Sequence, residues 1–293
     1  MPQQWPTRSA AASSSRHEDP SPDSLRSPPS PRSGRGQGEG SLSVRRLNGK
    51  RLLVTGAGSG LGREVALQAV AEGAAAVCAA DINFAAAQDT AGKSDLIFAV
   101  EVDVAERRSV DEMVAYAWKH MGGVDVLVSA AGIFTGGGPF LEVDEANWRQ
   151  LMEINAGGTF RCGQAVARRM VEDRIRGAMV NFGSFAAHRV TEHGSAYAVT
   201  KGAVTTLTYA MAVSLAPHRI RVNAVAPGPI QTGLGGTRYD DPAVRARMQV
   251  GILVGRLGAP ADVAPAVIYL ASDAAEFITG CVLPIDGGLS AAR

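Results

Sequence analysis

Apolar residues in this chain gather in seven short runs, at 52–54, 75–80, 96–102, 124–129, 178–182, 220–225 and 281–285, with helical segments lying between them. Regular alternation of strand and helix predicts a doubly wound α/β fold: a seven-stranded, mostly parallel sheet with helices on both faces. Right-handed crossovers in such a sheet leave a ligand crevice beyond the carboxyl ends of the strands. Gly56, Asp81, Asp103, Ala131, Ser184 and Gly228 each fall just after an apolar run, so they are predicted to converge on that one edge.

The first run leads into Thr55-Gly-Ala-Gly-Ser-Gly-Leu-Gly62 and then into a helical stretch over 63–72. Gly56, Gly60 and Gly62 can adopt backbone angles closed to other residues and let the main chain approach a pyrophosphate, which then lies at the positive end of the helix. Such a turn points to a dinucleotide only when a second strand ends in an acidic residue about twenty positions on. The run at 75–80 followed by Asp81 meets that condition.

Tyr197 and Lys201, in Ser195-Ala-Tyr-Ala-Val-Thr-Lys201, stand four apart and share one face of a predicted helix. A free phenol titrates near pH ~10, and a nearby ammonium favours the phenolate and lowers that value, so the pair can serve as a general acid/base. The spacing recurs by chance in any long chain. Its weight comes from company with the glycine turn and Asp81.

From about residue 50 to 289 the chain resembles the single-domain short-chain dehydrogenase/reductases, in the branch that contains 3-oxoacyl-carrier-protein reductases and polyol dehydrogenases. The resemblance rests on Thr55–Gly62, Asp103-Val104, Asn155, Ser184 at the family's distance ahead of Tyr197, and Lys201. It extends through Arg221-Val-Asn-Ala-Val-Ala-Pro-Gly228 with Ile230 and Thr232, Arg256-Leu-Gly-Ala-Pro260, and 277–280 through Asp286-Gly-Gly288. It implies a Rossmann-like fold and a catalytic set of Asn155, Ser184, Tyr197 and Lys201. Ser184 would hold the substrate oxygen, Asn155 would order a water near Lys201, and Lys201 would bond the nicotinamide ribose. Cofactor contacts are implied for Gly56, Ser59, Gly60, Leu61, Gly62, Asp81, Asp103, Val104, Ala131, Gly132, Tyr197, Lys201, Pro227, Gly228, Ile230 and Thr232. One departure is Ser129-Ala-Ala-Gly132 where the family has Asn-Asn-Ala-Gly. The replaced asparagine helps brace the central sheet, so the departure bears on stability more than on chemistry. The resemblance also implies a homotetramer, built on the catalytic helix, where 203–216 is rich in small apolar residues, and on the final strand.

Asp81 selects the cofactor. A 2′-phosphate would bring like charge within about 5 Å of this carboxylate, costing on the order of 3 kcal/mol at an effective dielectric near 20, about a hundredfold in affinity. Relatives that bind the phosphate often place a basic residue at the positions held here by Ser59 and by Ile82-Asn83. NAD is therefore the expected cofactor.

Composition narrows the setting. The 293 residues carry a net charge of +1 and no apolar run near the length of a membrane span, which argues against membrane insertion and against nucleic-acid binding. Cys78, Cys162 and Cys281 have neither metal-ligand nor redox spacing, as suits reduced thiols in a cytoplasmic protein. His188 and His193 have no carboxylate cluster beside them, and no metal site is expected. Residues 1–46 are rich in Ser, Pro and Arg, and are read as a disordered tail ahead of one catalytic domain, 47–293. The tail lacks the apolar stretch of a secretory signal, and Glu18, Asp19, Asp23 and repeated prolines argue against an amphipathic transit helix.

The expected substrate is a small secondary alcohol or polyol, or the matching ketone. The alternative is a 3-oxoacyl carrier-protein or thioester reductase. Enzymes that dock an acidic carrier show basic residues on the later half of the catalytic helix, which here reads Met211-Ala-Val-Ser-Leu-Ala216. A non-catalytic NAD sensor would keep the glycine turn and lose Tyr197 or Lys201. An epimerase would need a larger substrate domain after Lys201 than this chain has.

Overall fold

The computed structural model describes residues 45–136, 139–192, 194–234 and 240–292, which belong to a unit spanning Val44–Arg293. Apart from Arg45 and Arg46, the expected tail lies outside the described residues, as does His193. Arg46 donates its backbone N–H to the Glu72 carboxylate.

Seven parallel strands form one sheet: β1 Arg51–Thr55, β2 Ala76–Asp81, β3 Ile97–Glu101, β4 Val126–Ser129, β5 Ala178–Phe182, β6 Arg221–Pro227 and β7 Val282–Ile285, in the order β3-β2-β1-β4-β5-β6-β7. Each predicted apolar run overlaps one strand. The central runs are unbroken because side chains on both faces of β1, β2, β4, β5 and β6 are buried, as parallel sheets require. Leu52, Val54, Val77, Ala79, Val126 and Val128 point into one core, and Leu53, Cys78, Ala80 and Leu127 into the other.

The first core is closed by α1 (Gly60–Ala71) and α8 (Pro260–Ala271), and the second by α3 (Arg107–Met121), α5 (Gly158–Glu172) and α6 (Ser195–Leu215). The remaining helices are α2 (Phe84–Ala91), packed on β2 and β3, α4 (Glu145–Leu151) and α7 (Pro242–Gln249). A π-helical turn, Met152–Gly157, joins α4 to α5.

The chain leaves β1 towards β2 and β3, then returns to lay β4 on β1's other side, and this reversal opens the crevice above β1 and β4. Arg51 fixes the opposite end. Its guanidinium grips Asp125 through Nε to Oδ2 at 2.8 Å and Nη2 to Oδ1 at 2.9 Å, tying the start of β1 to the residue before β4. Burial would raise the Asp125 carboxyl, but the bonds from Arg51 outweigh it and hold the group below its usual range.

Candidate active site

A cavity of about 830 Å³ lies beyond the strand carboxyl ends. Its walls include Gly56, Ser59, Gly60, Leu61, Gly62, Asp81, Asp103, Val104, Ala131, Gly132, Ser184, Tyr197, Lys201, Pro227, Gly228, Ile230 and Thr232. Every expected site residue except Asn155 therefore meets there.

The β1–α1 turn is shaped by close approach. Gly56 has φ of +68°, and a Cβ on it would stand 2.8 Å from the Ala131 backbone, so the turn after β1 and the segment after β4 touch only because this position lacks a side chain. A Cβ on Gly62 would strike the Gly56 carbonyl. Ser59 caps α1 without a side-chain hydrogen bond, and the first turn carries no acidic residue. The N–H groups that open this twelve-residue helix thus keep their positive potential for an outside anion, and the turn fits a pyrophosphate.

Asp81 ends β2. Its Oδ2 accepts the Gly58 N–H and its Oδ1 accepts the Asn83 N–H, both at 2.9 Å, so two backbone bonds aim the carboxylate before any ligand arrives. The cap of α2 is Asn83, whose Oδ1 accepts from Ala86. Asp103 receives the Ala105 N–H at 2.9 Å and follows β3.

At the other end of the cavity, Ser184 follows β5 and is buried, with its Oγ accepting the Ala186 N–H at 3.2 Å. Tyr197 and Lys201 lie on the first turns of α6. The Tyr197 ring is half-buried and meets Phe134 edge-on, with centroids 5.1 Å apart, and Lys201 Nζ lies 5.6 Å from the same ring. Lys201 is itself buried and donates to the Phe182 carbonyl at 2.9 Å. Burial pulls its ammonium down to about 8.

Asn155 sits in the π-helical turn, a geometry common at functional sites. The side chain lies behind the cavity wall. Oδ1 accepts the Ile133 N–H at 2.8 Å, while Nδ2 donates to the Ile133 carbonyl at 3.0 Å and to Thr200 Oγ1 at 3.1 Å. Thr200 in turn donates to the Tyr197 carbonyl at 2.8 Å. A Cβ on Gly132 would lie 3.1 Å from Asn155 Oδ1 and 3.7 Å from Lys201 Nζ, so the two groups flank one spot on the wall. In this arrangement the carboxamide braces the segment after β4 against the helix that carries Tyr197.

Ser129 is the family departure noted above. Its Oγ is buried, and finds no hydrogen-bond partner among the described residues. In register beside it on β5, Asn181 Oδ1 is in the same position.

Sequence reasoning passed over part of the cavity wall. Phe134, Phe185, Arg189, Thr191, Val244, Arg247 and Met248 also line it. They come from loops and from α7, where no fixed spacing announces a role.

Residues 56–290 match a family model described as enoyl-(acyl carrier protein) reductase. The 2-(S)-hydroxypropyl-CoM dehydrogenase 3 of Xanthobacter autotrophicus is 36% identical over 84% of this chain and 98% of its own length. The L-xylulose reductase of Mesocricetus auratus is 36% identical over 83% of this chain and 97% of its own. Among solved structures, the 3-ketoacyl-(acyl-carrier-protein) reductase of Brucella melitensis, complexed with NADH, superposes with a TM-score of 0.76 at 33% identity, covering 83% of this chain and 99% of that one. Matched over most of its length by such a model and such relatives, the chain belongs to the short-chain dehydrogenase/reductase family, and it is an oxidoreductase acting on CH–OH groups.

Proposed function

We propose that residues 47–293 form one NAD-dependent dehydrogenase domain that interconverts a small secondary alcohol or polyol and its ketone. The observation that carries this reading is the span of one cavity, with Asp81 and the α1 amides at one end and Ser184, Tyr197 and Lys201 at the other. When bound, the nicotinamide cofactor accepts or supplies the hydride. Ser184 holds the substrate oxygen through its hydroxyl. Tyr197 takes the alcohol proton as the C–H bond breaks, or returns it to the ketone oxygen. Lys201 stays close enough to favour the phenolate and offers its remaining N–H groups to the ribose hydroxyls. Asn155 orients the wall behind them.

Asp81 favours the adenosine ribose of NAD over a 2′-phosphate, for the reason of charge given above. A second reading, reduction of a 3-oxoacyl thioester, draws on the relative of Brucella melitensis. The apolar later half of α6 speaks against it. Three unpaired cysteines fit the reducing cytoplasm.

The test is a screen of secondary alcohols and polyols with NAD, following reduced cofactor, with an acetoacetyl thioester and NADH as the competing assay. Tyr197→Phe keeps the ring and its contact with Phe134 but removes the exchangeable proton, so turnover on any substrate found should fall about a hundredfold or more while NAD affinity holds. A variant that kept over half the parent rate would make Tyr197 structural and this mechanism wrong.

A further inference from the structure

The cavity that holds Tyr197 is lined mostly by apolar residues, Phe134, Phe185, Ala186, Leu234, Val244 and Met248 among them, yet its wall also contains two arginines, Arg189 and Arg247. Arg189 is engaged: its Nη1 donates to the Leu289 carbonyl at 2.6 Å and to the Ala292 carbonyl at 3.5 Å, which pins the C-terminal segment. Arg247 is different. Among the described residues its guanidinium has neither a hydrogen bond nor an ion pair, although other arginines of the chain, such as Arg51, Arg161 and Arg256, hold carboxylates.

Arg247 is exposed to solvent and also borders the cavity, which places it at the mouth. Val244, Arg247 and Met248 all line the cavity, and their spacing of three and four makes them one face of α7. Met248 on that face packs with Phe185 against Ile252, Leu257 and Leu289, which seats the helix. Among the described residues the carboxylates that line the cavity are Asp81, which ends β2, and Asp103, which follows β3, both on the far side of the switch point.

We infer that the substrate is a small hydroxy acid whose carboxylate is bound by Arg247. This deepens the function proposed above and rests on it. A guanidinium stays charged throughout the working pH range and presents a planar fork that matches a carboxylate through two parallel N–H bonds. At the mouth of a largely apolar chamber water still screens such a pair in part, so the discrimination against a neutral analogue comes mainly from the two-point geometry of the fork. Tyr197 at one wall and Arg247 at another then hold the substrate at two points, the reacting carbinol and the anion, and fix which face meets the cofactor.

Binding can be read without hydride transfer. The protein saturated with NADH is titrated calorimetrically with 3-hydroxybutanoate, 4-hydroxybutan-2-one-derived 3-hydroxybutanol, and 4-hydroxycyclohexanecarboxylate, each acid also against its carboxamide. The acids should bind at least tenfold more tightly than the amides. Arg247→Met should erase that preference while NADH affinity stays within twofold, and Arg247→Lys, which keeps the charge but loses the fork, should restore part of it. Equal binding of acids and amides, a preference that survives Arg247→Met, or no binding by any compound of the panel would overturn the inference. So would a loss of NADH affinity in Arg247→Met, since the arginine would then serve the cofactor. None of these results touches the proton role of Tyr197, which the turnover test above decides separately.

Discussion

Asp81 meets two backbone N–H groups within its own turn, so its carboxylate is already aimed when a cofactor arrives. Preorganisation of this kind makes the charge argument sharper, because the group cannot swing away from a 2′-phosphate without giving up both bonds. Calorimetric titration should show NAD binding at least tenfold more tightly than NADP, and Asp81→Ala should narrow the gap; equal affinities in the parent protein would refute the assignment. Lys201 supplies a second prediction. Burial lowers it from 10.5 to about 8, so between those pH values the unfolded chain binds more protons than the folded one and stability must rise with pH. The destabilisation is complete below pH about 8 and vanishes above about 10.5, with a full size on the order of 3 kcal/mol. Lys201→Met removes it, at the expense of the bond to Phe182. Denaturant midpoints of parent and variant, compared from pH 7.5 to 10, should therefore show the parent gaining on the variant as pH rises; a constant difference would show that the lysine is not shifted.

At the scale of elements, the central strands are held by interlocked apolar faces, and β4 carries a flaw. Ser129 buries a hydroxyl that no described residue satisfies, in the place where the family has an asparagine. A buried polar group left unpaired costs roughly 1–3 kcal/mol, while its removal with both shape and packing kept is near neutral or stabilising. Ser129→Ala should raise the denaturation midpoint by an amount equal to about 1 kcal/mol, measured by urea unfolding. A loss of stability would mean that solvent satisfies the hydroxyl.

The whole molecule exposes apolar surface on the outer faces of α5 and α6. Phe160 is 45% exposed and Val213 77%, and a groove between the helices is lined by Phe160, Ala167, Leu207, Ala210 and Met211. Helix α6 already spends its inner side on Tyr197, Lys201 and the sheet, so its outer side is available for a two-fold mate. We expect a homotetramer in solution. Multi-angle light scattering at micromolar protein should give four chain masses, and substitution of Val213 by glutamate should shift the mass downward; a monomer mass for the parent protein would refute the assembly.

Strand number, the glycine turn with its acidic partner, and Tyr197 with Lys201 were legible in the sequence because each depends on local rules. A buried parallel strand must be apolar on both faces, a pyrophosphate turn needs glycine where a Cβ would collide, and a residue pair four apart shares a helix face whatever surrounds it. Tertiary structure decided the rest. Only packing shows that Asn155 is engaged by Ile133 and Thr200 and stands behind the wall, or that Lys201 is buried deeply enough to shift. Arg247 lies in a segment whose sequence follows no period tied to function, and its meaning comes from residues distant in the chain that border the same cavity, Tyr197 on α6 and Phe185 after β5. Residues that act through their own backbone conformation can be read along the chain, while those that act through what faces them across a cavity become readable only once the fold has brought the two sides together.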